Sequence, residues 1–476
     1  MSNCFHTQEL SKNRRRIGGT DIATVLERMR REGVELLGIG AANRPLLSAL
    51  PPLGIRVRTV RDRRAPAPEV LSAIREAGAR GIFGEGYLEG GLSGVLLRTP
   101  SLRPDHPALS AARERGALVR SEVALVLALT PADIYAVTGS DGKTTTAMMT
   151  AAILERTGRR VFLGGNIGTP LFASLGEMRP GDAAVLELSS FQLADLDPPA
   201  GRVAITSLTE NHLDWHTDMR EYIAAKARIL GGGTAVLPYD DPLLAKLAAG
   251  RNCLLFTESA EPPEGFPTVC LREGSAVIRE GGDCRTLFPL TALSVPGAHN
   301  RRNAMAAAAL TEATASAEEI TAALRAFRPP PHRAEYLGIF AGVHCYDSSI
   351  DTTPARTATT LSGFDRPTVI LGGRGKNLPM AGLGRVLTER ASAAVLCGEC
   401  AAEIAAAIAA ADPRGSLRTV TVPDLRTAVY TALGMTERGG TLLLSPAATS
   451  FDSFSDYRAR GRAFAAILKE AETEGV

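Results

Sequence analysis

Gly139-Ser140-Asp141-Gly142-Lys143-Thr144-Thr145 joins a glycine-bent turn to a lysine and two hydroxyls, the combination that holds the phosphates of a nucleotide. The glycines let successive backbone N–H groups wrap an anion, Lys143 reaches the terminal phosphates, and the Thr144 hydroxyl can hold Mg²⁺. A turn that carries glycine and lysine by chance would lack the flanks this loop requires. Here an apolar run, Ile134 to Val137, feeds the loop and a helix-like segment, Thr145 to Arg156, leaves it. Two residues separate the glycines, against four in the common form of the loop. Residues 139–145 are therefore read as an ATP-binding segment.

Further polar groups follow apolar strands of the same segment. Glu187 ends the run Val185-Leu186 and opens Glu187-Leu188-Ser189-Ser190-Phe191-Gln192. The carboxyl ends of strands in open α/β sheets are where ligands bind, and a carboxylate there can share Mg²⁺ with the Thr144 hydroxyl, both being hard oxygen donors. The next strand leads into Thr209-Glu210-Asn211-His212-Leu213-Asp214-Trp215-His216. Taken singly, His212 and His216 read as hydrogen-bonded structural histidines, and Lys226, in the helix-like Glu221 to Ala227, reads as a solvated lysine.

The elements that must carry these groups form three segments in which apolar strands alternate with helical patterns, the mark of α/β layers with mainly parallel sheets. The expected division is 1–129, 130–328 and 329–476, with a stiff linker at Phe327-Arg328-Pro329-Pro330-Pro331. In the first, Glu35-Leu36-Leu37 runs into Gly38-Ile39-Gly40-Ala41-Ala42-Asn43, a nucleotide-fold opening with Asn43 at the third glycine position. A second strand ends at Val60-Arg61-Asp62-Arg63-Arg64, which suits a nucleotide's ribose or phosphate and equally a solvated charged turn. The glycine pair alone would suggest a nicotinamide-dependent oxidoreductase; Asn43 and the downstream phosphate loop count against it.

Hydrophobic content of 45% and charged content of 22% are ordinary for a soluble protein, and a net charge of +2 gives no reason to invoke nucleic acid or an acidic membrane. No apolar stretch approaches the roughly 20 residues of a membrane span, and Met1 to Arg16 lacks a signal-peptide core, so a cytoplasmic protein with a small-molecule partner is expected. Seven scattered cysteines read as reduced thiols. Cys397-Gly398-Glu399-Cys400 would suit a redox pair or half a zinc site, but no second pair completes it. Lys12 to Arg16 reads as a frayed basic end.

Seven elements in order, GSDGKTT (139–145), GGNIGTP (164–170), ELSSFQL (187–193), TENHLDWH (209–216), YIAAKARIL (222–230), GAHNRRNAMAA (297–307) and PHRAEY (331–336), resemble the Mur ligase superfamily. LGGRGKN (371–377) and LSPAATSFDSFSDYRARG (444–461) are similar to its D-glutamate-adding branch. The resemblance implies three domains: a Rossmann-like domain for a UDP-sugar, a P-loop ATPase-like domain and a Rossmann-like C-terminal domain. It also implies a cytoplasmic monomer that joins D-glutamate to UDP-N-acetylmuramoyl-L-alanine through an acyl phosphate, using ATP and two Mg²⁺ ions. Another amide ligase of the superfamily, and a non-catalytic nucleotide-binding relative, are the competing readings.

By the same resemblance, Lys143, Glu187, His212, Lys226 and Arg333 are catalytic. Thr144 and Glu187 serve one Mg²⁺, His212 and Lys226 the other, with Lys226 carbamylated, which turns a repelling ammonium into an anionic ligand. Asn300, Asn303, Arg333 and Asp347 complete the ATP set. Asn43, Arg63, Arg64, Asn166, Thr169, Ser189 and His212 face the UDP substrate, and Lys376, Ser450 and Tyr457 face D-glutamate, a dicarboxylate that needs cationic and hydroxyl donors. The family lysine expected near Asp347 is missing from Asp347-Ser348-Ser349-Ile350-Asp351-Thr352-Thr353, which leaves Arg356 as a replacement cation and Ser348 as an alternative to Asp347.

Overall fold

The computed structural model describes residues 16–17, 20–168, 170–210, 212, 215–295, 297–376 and 378–475. Thr169 and Lys12 to Arg15 lie outside these, as do Asn211, Leu213, Asp214 and Asn377 of the motifs. The apolar runs form three larger sheets, and the chain divides into two compact units, one built on the first and central sheets and the other on the third.

In the first sheet five parallel strands run in the order Arg80–Phe83, Val57–Asp62, Val34–Leu37, Val95–Arg98 and Leu118–Ser121. The order reverses beside Val34–Leu37, and the carboxyl ends of that strand and Val95–Arg98 are where an open sheet of this kind offers a ligand crevice. The central sheet has nine strands, with Asp133–Thr138 between Arg202–Ile205 and Ala183–Glu187, and Val161–Gly165 at one edge. Ala183–Glu187 is hydrogen-bonded on both sides and wholly buried, which is why it reads as an unbroken apolar run rather than an alternating one. The other edge carries Thr268–Arg272, Ser275–Glu280 and Asp283–Pro289, whose last two pairings are antiparallel. The third sheet orders Glu335–Phe340, Val343–Asp347, Thr441–Leu444, Thr368–Gly372, Ala393–Cys397 and Arg418–Thr421, antiparallel only at its first pair. The α/β class with mainly parallel sheets is thus as the sequence implied. Among the described residues no helix is long and apolar enough to cross a membrane.

One buried acid stands apart from any ligand chemistry. Glu122, capped into the helix Glu122–Leu129 by Ser121, is buried and accepts a hydrogen bond from the Phe172 backbone N–H at 3.1 Å. Burial raises its pKa to about 7 from 4.5, so the fold prefers the protonated acid. The stability this contributes is complete below the unfolded pKa and is lost as pH rises towards 7. Glu122→Gln keeps the acceptor and cannot ionise. Thermal melts are expected to show it more stable than the parent at pH 8, by up to about 3 kcal/mol, with the advantage shrinking towards pH 5.

Candidate active site

The phosphate loop lies between the strand Asp133–Thr138 and the helix Lys143–Arg156, whose N-cap is Gly142 in the left-handed conformation at φ +81°. A Cβ there would meet Asn303 Oδ1 at 2.4 Å, so glycine is required by conformation and by space. Thr206 holds the loop from the neighbouring strand, donating to the carbonyls of Thr138 and Asp141. Lys143 Nζ lies along the loop, donating to the carbonyls of Gly139 at 2.9 Å and Ser140 at 2.8 Å.

Glu187, the last residue of its strand, is buried and receives two hydrogen bonds, from Thr144 Oγ1 at 2.6 Å and Asn166 Nδ2 at 2.8 Å. The parallel register sets Glu187 opposite both Val137 and Gly165, so the carboxyl ends of three strands converge here. Gly165 permits that approach: a Cβ on it would lie 2.3 Å from the Glu187 carbonyl oxygen. A hydroxyl and a carboxylate in hydrogen-bond contact are a hard oxygen pair of the kind that binds Mg²⁺.

Lys226 is not a solvated lysine. It is 2% exposed, donates to the Gly139 carbonyl at 2.7 Å and to Thr138 Oγ1 at 3.3 Å, and lies 4.8 Å from the Tyr222 ring. Its helix, Met219–Ala227, starts at an Asp218 N-cap and puts Tyr222 and Lys226 on one face, four residues apart. Burial, and next the charge of Lys143, push the Lys226 pKa well below the usual lysine value, against the pull of Glu187 and Asp141. His212 is exposed, with φ +57° and its ring edge-on to Phe191 at 5.0 Å. His216 is structural as expected: it is buried, Nε2 is 2.9 Å from Ser190 Oγ, and burial lowers its pKa.

Asn303 accepts from Thr146 Oγ1 at 3.3 Å, and Asn300 and Asn303 are both buried. Ser189 caps the short helix Ser190–Leu193 in a reciprocal capping box with Gln192. Asn43 is fully buried, and its amide donates to the carbonyls of Gly38 at 2.9 Å and Leu97 at 3.0 Å, so it braces the turn from beneath. Arg63 and Arg64 are exposed at the end of Val57–Asp62, Arg63 paired with Glu85 at 3.0 Å.

In the unit built on the third sheet, Arg333 sits between two residues with positive φ, His332 at +65° and Ala334 at +47°. That strained turn is pinned by His332 Nδ1 to Asp347 at 2.6 Å, by the His332 N–H to Glu335 at 2.8 Å and by the Ala334 N–H to Ser348 Oγ at 3.2 Å. Lys376 Nζ donates to Thr352 Oγ1 at 3.1 Å, and its pKa is lowered by burial and then by Arg356. The structure therefore brings Arg356 and Lys376 within electrostatic reach of each other. Ser450 is buried, and the Tyr457 carbonyl accepts from Ser349 Oγ at 2.8 Å. Arg460, which sequence reasoning passed over, is buried and donates to the carbonyls of Ser349, Gly372, Ala448 and Thr449, tying these loops together. Cys397 and Cys400 are free thiols whose pKa values burial pushes up to about 12 and about 11, which favours the thiol over the reactive thiolate.

A phosphate loop whose threonine shares a buried carboxylate, beside a buried lysine at the same strand ends, defines a P-loop nucleotide enzyme. Comparison with known proteins narrows the class. The Mur ligase middle domain matches residues 137–311, and the Mur ligase, glutamate ligase domain matches residues 332–448. The chain belongs to the Mur ligase family, whose members are ATP-dependent amide-forming ligases. A protein of Acetivibrio thermocellus named UDP-N-acetylmuramoylalanine--D-glutamate ligase is 33% identical over 462 residues, 94% of this chain and 98% of its own. A Clostridium novyi protein of the same name is 34% identical over 453 residues, 92% of this chain and 97% of its own. The fold is shared with the solved UDP-N-acetylmuramate-alanine ligase MurC of Thermotoga maritima, with a TM-score of 0.58 at 18% identity over 92% of this chain and 99% of that one. The MurF ligase of Thermotoga maritima in complex with ADP gives a TM-score of 0.55 at 16% identity, over 94% of this chain and 97% of that one.

Proposed function

We propose that this protein joins D-glutamate to UDP-N-acetylmuramoyl-L-alanine at the expense of ATP, as a cytoplasmic monomer in peptidoglycan precursor synthesis. The observation that carries the reading is the Thr144–Glu187–Asn166 cluster at the mouth of the phosphate loop, in a chain whose relatives of like length bear that ligase name. Residues 1–129 seat the UDP-sugar, with Asn43 bracing the turn and Arg63, Arg64, Asn166, Thr169, Ser189 and His212 facing the substrate. Residues 130–328 hold ATP on 139–145 with Asn300 and Asn303, and 329–476 contribute Arg333, Asp347 and the D-glutamate contacts Lys376, Ser450 and Tyr457.

In the first step a substrate carboxylate oxygen bonds to the γ-phosphorus as the bond to the bridging oxygen breaks, releasing ADP and leaving an acyl phosphate. The uncharged amine of D-glutamate then attacks the acyl carbon, and the tetrahedral adduct expels inorganic phosphate and sheds a proton to leave the amide. Both steps bring anions together, so the protein's task is positioning and charge control. Lys143 neutralises the terminal phosphates. Thr144 and Glu187, already in hydrogen-bond contact, are the oxygen donors that would hold one Mg²⁺, and His212 with a carbamylated Lys226 would hold a second; ions bound there would neutralise charge on the phosphates and carboxylate. The depressed pKa of Lys226 supports carbamylation, because the neutral amine is the form that adds to CO₂, losing a proton as the N–C bond forms. Lys376 with the nearby Arg356 supplies the cationic wall a dicarboxylate needs.

Phosphate release by purified protein with ATP, Mg²⁺ and UDP-N-acetylmuramoyl-L-alanine tests the reading. D-Glutamate is expected to elicit release and ligated product, while L-glutamate and buffer alone are not. Release with a different amino acid would assign another amide ligase of the family; ATP binding without release under any pairing would make the protein a non-catalytic relative.

A further inference from the structure

Between the crevice of the first sheet and the loop that carries His212 stands an arginine to which neither the sequence motifs nor the proposed reaction gives a role. Arg103 follows the strand Val95–Arg98 in the turn 99–106, on the rim of the first sheet's switch point. Its guanidinium is fully engaged. Nε and Nη2 grip Asp105 at 2.8 and 2.7 Å, Nη2 also reaches Glu221 at 2.9 Å, and Nη1 donates to the Trp215 carbonyl. The same group lies 4.8 Å over the Trp215 ring, whose Nε1–H donates back to the Ser101 carbonyl at 3.2 Å. The turn therefore holds Trp215 by both its main chain and its indole.

From Trp215 the contacts continue towards the phosphate loop without a break. The indole packs on Phe191 at 4.6 Å and on His216 at 4.6 Å, and Phe191 in turn meets the His212 ring. His216 packs on Tyr222 at 5.3 Å, and the Tyr222 hydroxyl is 2.8 Å from Ser140 Oγ in the phosphate loop. Glu221, the other anchor of Arg103, lies in the first turn of the Lys226 helix and also binds the Thr217 N–H at 2.6 Å. An open cleft of about 440 Å³, lined by Ser101, Arg103, Asp105, His106 and Trp215 among others, borders this contact from the turn's side.

We propose that Arg103 is a positioning residue that couples the two substrates: UDP-sugar bound at the first sheet's crevice orders the turn 99–106, and Arg103 passes that order to the His212 loop and the Lys226 helix, tightening Mg²⁺–nucleotide binding there. The inference rests on the ligase reading above. By linkage the effect is reciprocal, so Mg²⁺–nucleotide tightens UDP-sugar binding by the same factor. Trp215, the single tryptophan of the chain, reports on the coupling.

The test is calorimetric titration of the full-length protein with Mg²⁺ and a non-hydrolysable ATP analogue, with and without UDP-N-acetylmuramoyl-L-alanine, alongside Trp215 emission. In the wild type the UDP-sugar is expected to tighten analogue binding at least about fivefold. In Arg103→Met, which keeps the aliphatic stem and loses every donor, that factor should fall below about two while each ligand alone still binds, and Trp215 emission should shift to the red and stop responding to the UDP-sugar. Glu221→Gln, which weakens one anchor only, should give an intermediate factor and serves where Arg103→Met folds poorly. An unchanged factor in the variants, or no coupling in the wild type when both ligands bind, overturns the proposal. A wild type that binds the analogue but no UDP-sugar overturns the ligase reading, and the coupling with it.

Discussion

Glu187→Gln is expected to lower kcat/KM for ligation by about 10³-fold or more while leaving the thermal transition nearly unmoved, the size of effect seen when a charge-stabilising group of an active site is lost. The substitution is isosteric, and the two partners tolerate it. The glutamine oxygen still accepts from Asn166, and its amide can donate to the Thr144 hydroxyl, which serves as acceptor as readily as donor. What disappears is one negative charge, buried at the ends of three strands and beside the Thr144 hydroxyl at the start of the phosphate-loop helix. If Glu187 only tied Thr144 to Asn166, the loss would be slight. If it holds Mg²⁺, half-maximal activity should also require more Mg²⁺, because the amide oxygen is the weaker ligand. Steady-state kinetics across a Mg²⁺ series separates the two, and activity within threefold of the parent at saturating Mg²⁺ would remove Glu187 from the metal site. Glu187→Ala is the less informative change, since it strands two donors and costs about 1–3 kcal/mol in stability as well.

That cluster was legible because its signal is local. Strand, glycine turn and helix follow one another within 24 residues, Asp133 to Arg156, and each flank obeys its own periodicity. Glu187 was legible as a polar residue closing a buried run. Lys226 was not: read alone, a lysine among alanines on a helix is a surface residue, and only the resemblance argued otherwise. Its burial comes from the Tyr222 face of the helix packing against the phosphate loop, a tertiary choice without local trace. Asn43 shows the opposite limit, since a polar residue in a nucleotide-type turn points equally to a ligand contact or to a brace, and its amide is bonded to backbone. Arg103 lies in a proline-flanked turn 112 residues before Trp215 and 118 before Glu221, so no window on the sequence joins them. The antiparallel strands from Thr268 to Pro289 carry a readable signal of their own, Glu273-Gly274 and Gly281-Gly282 being turn pairs between short apolar runs.

Lys226→Met and Lys226→Arg should both lose about 10³-fold or more in ligation, and their agreement is what gives the pair its force. As an amine, Lys226 is a donor to Gly139 and Thr138, so arginine, which keeps charge and donors, should restore much of that role while methionine restores none. As a carbamate it is an anion that serves a cation, and neither replacement can add CO₂. Equal losses therefore favour the carbamate, and a surviving Lys226→Arg enzyme favours the plain donor. Burial and the charge of Lys143 disfavour a full ammonium here, so the amine is disposed towards its neutral form, which a plain donor and a carbamate precursor share. Two further readouts address the carbamate directly. Wild-type activity should fall in CO₂-depleted buffer and recover on adding bicarbonate, and carbon-13-labelled bicarbonate should give a protein-bound carbamate resonance that Lys226→Met lacks. Activity indifferent to CO₂, with no such resonance, would return Lys226 to the role the hydrogen bonds describe, a buried strut beneath the phosphate loop.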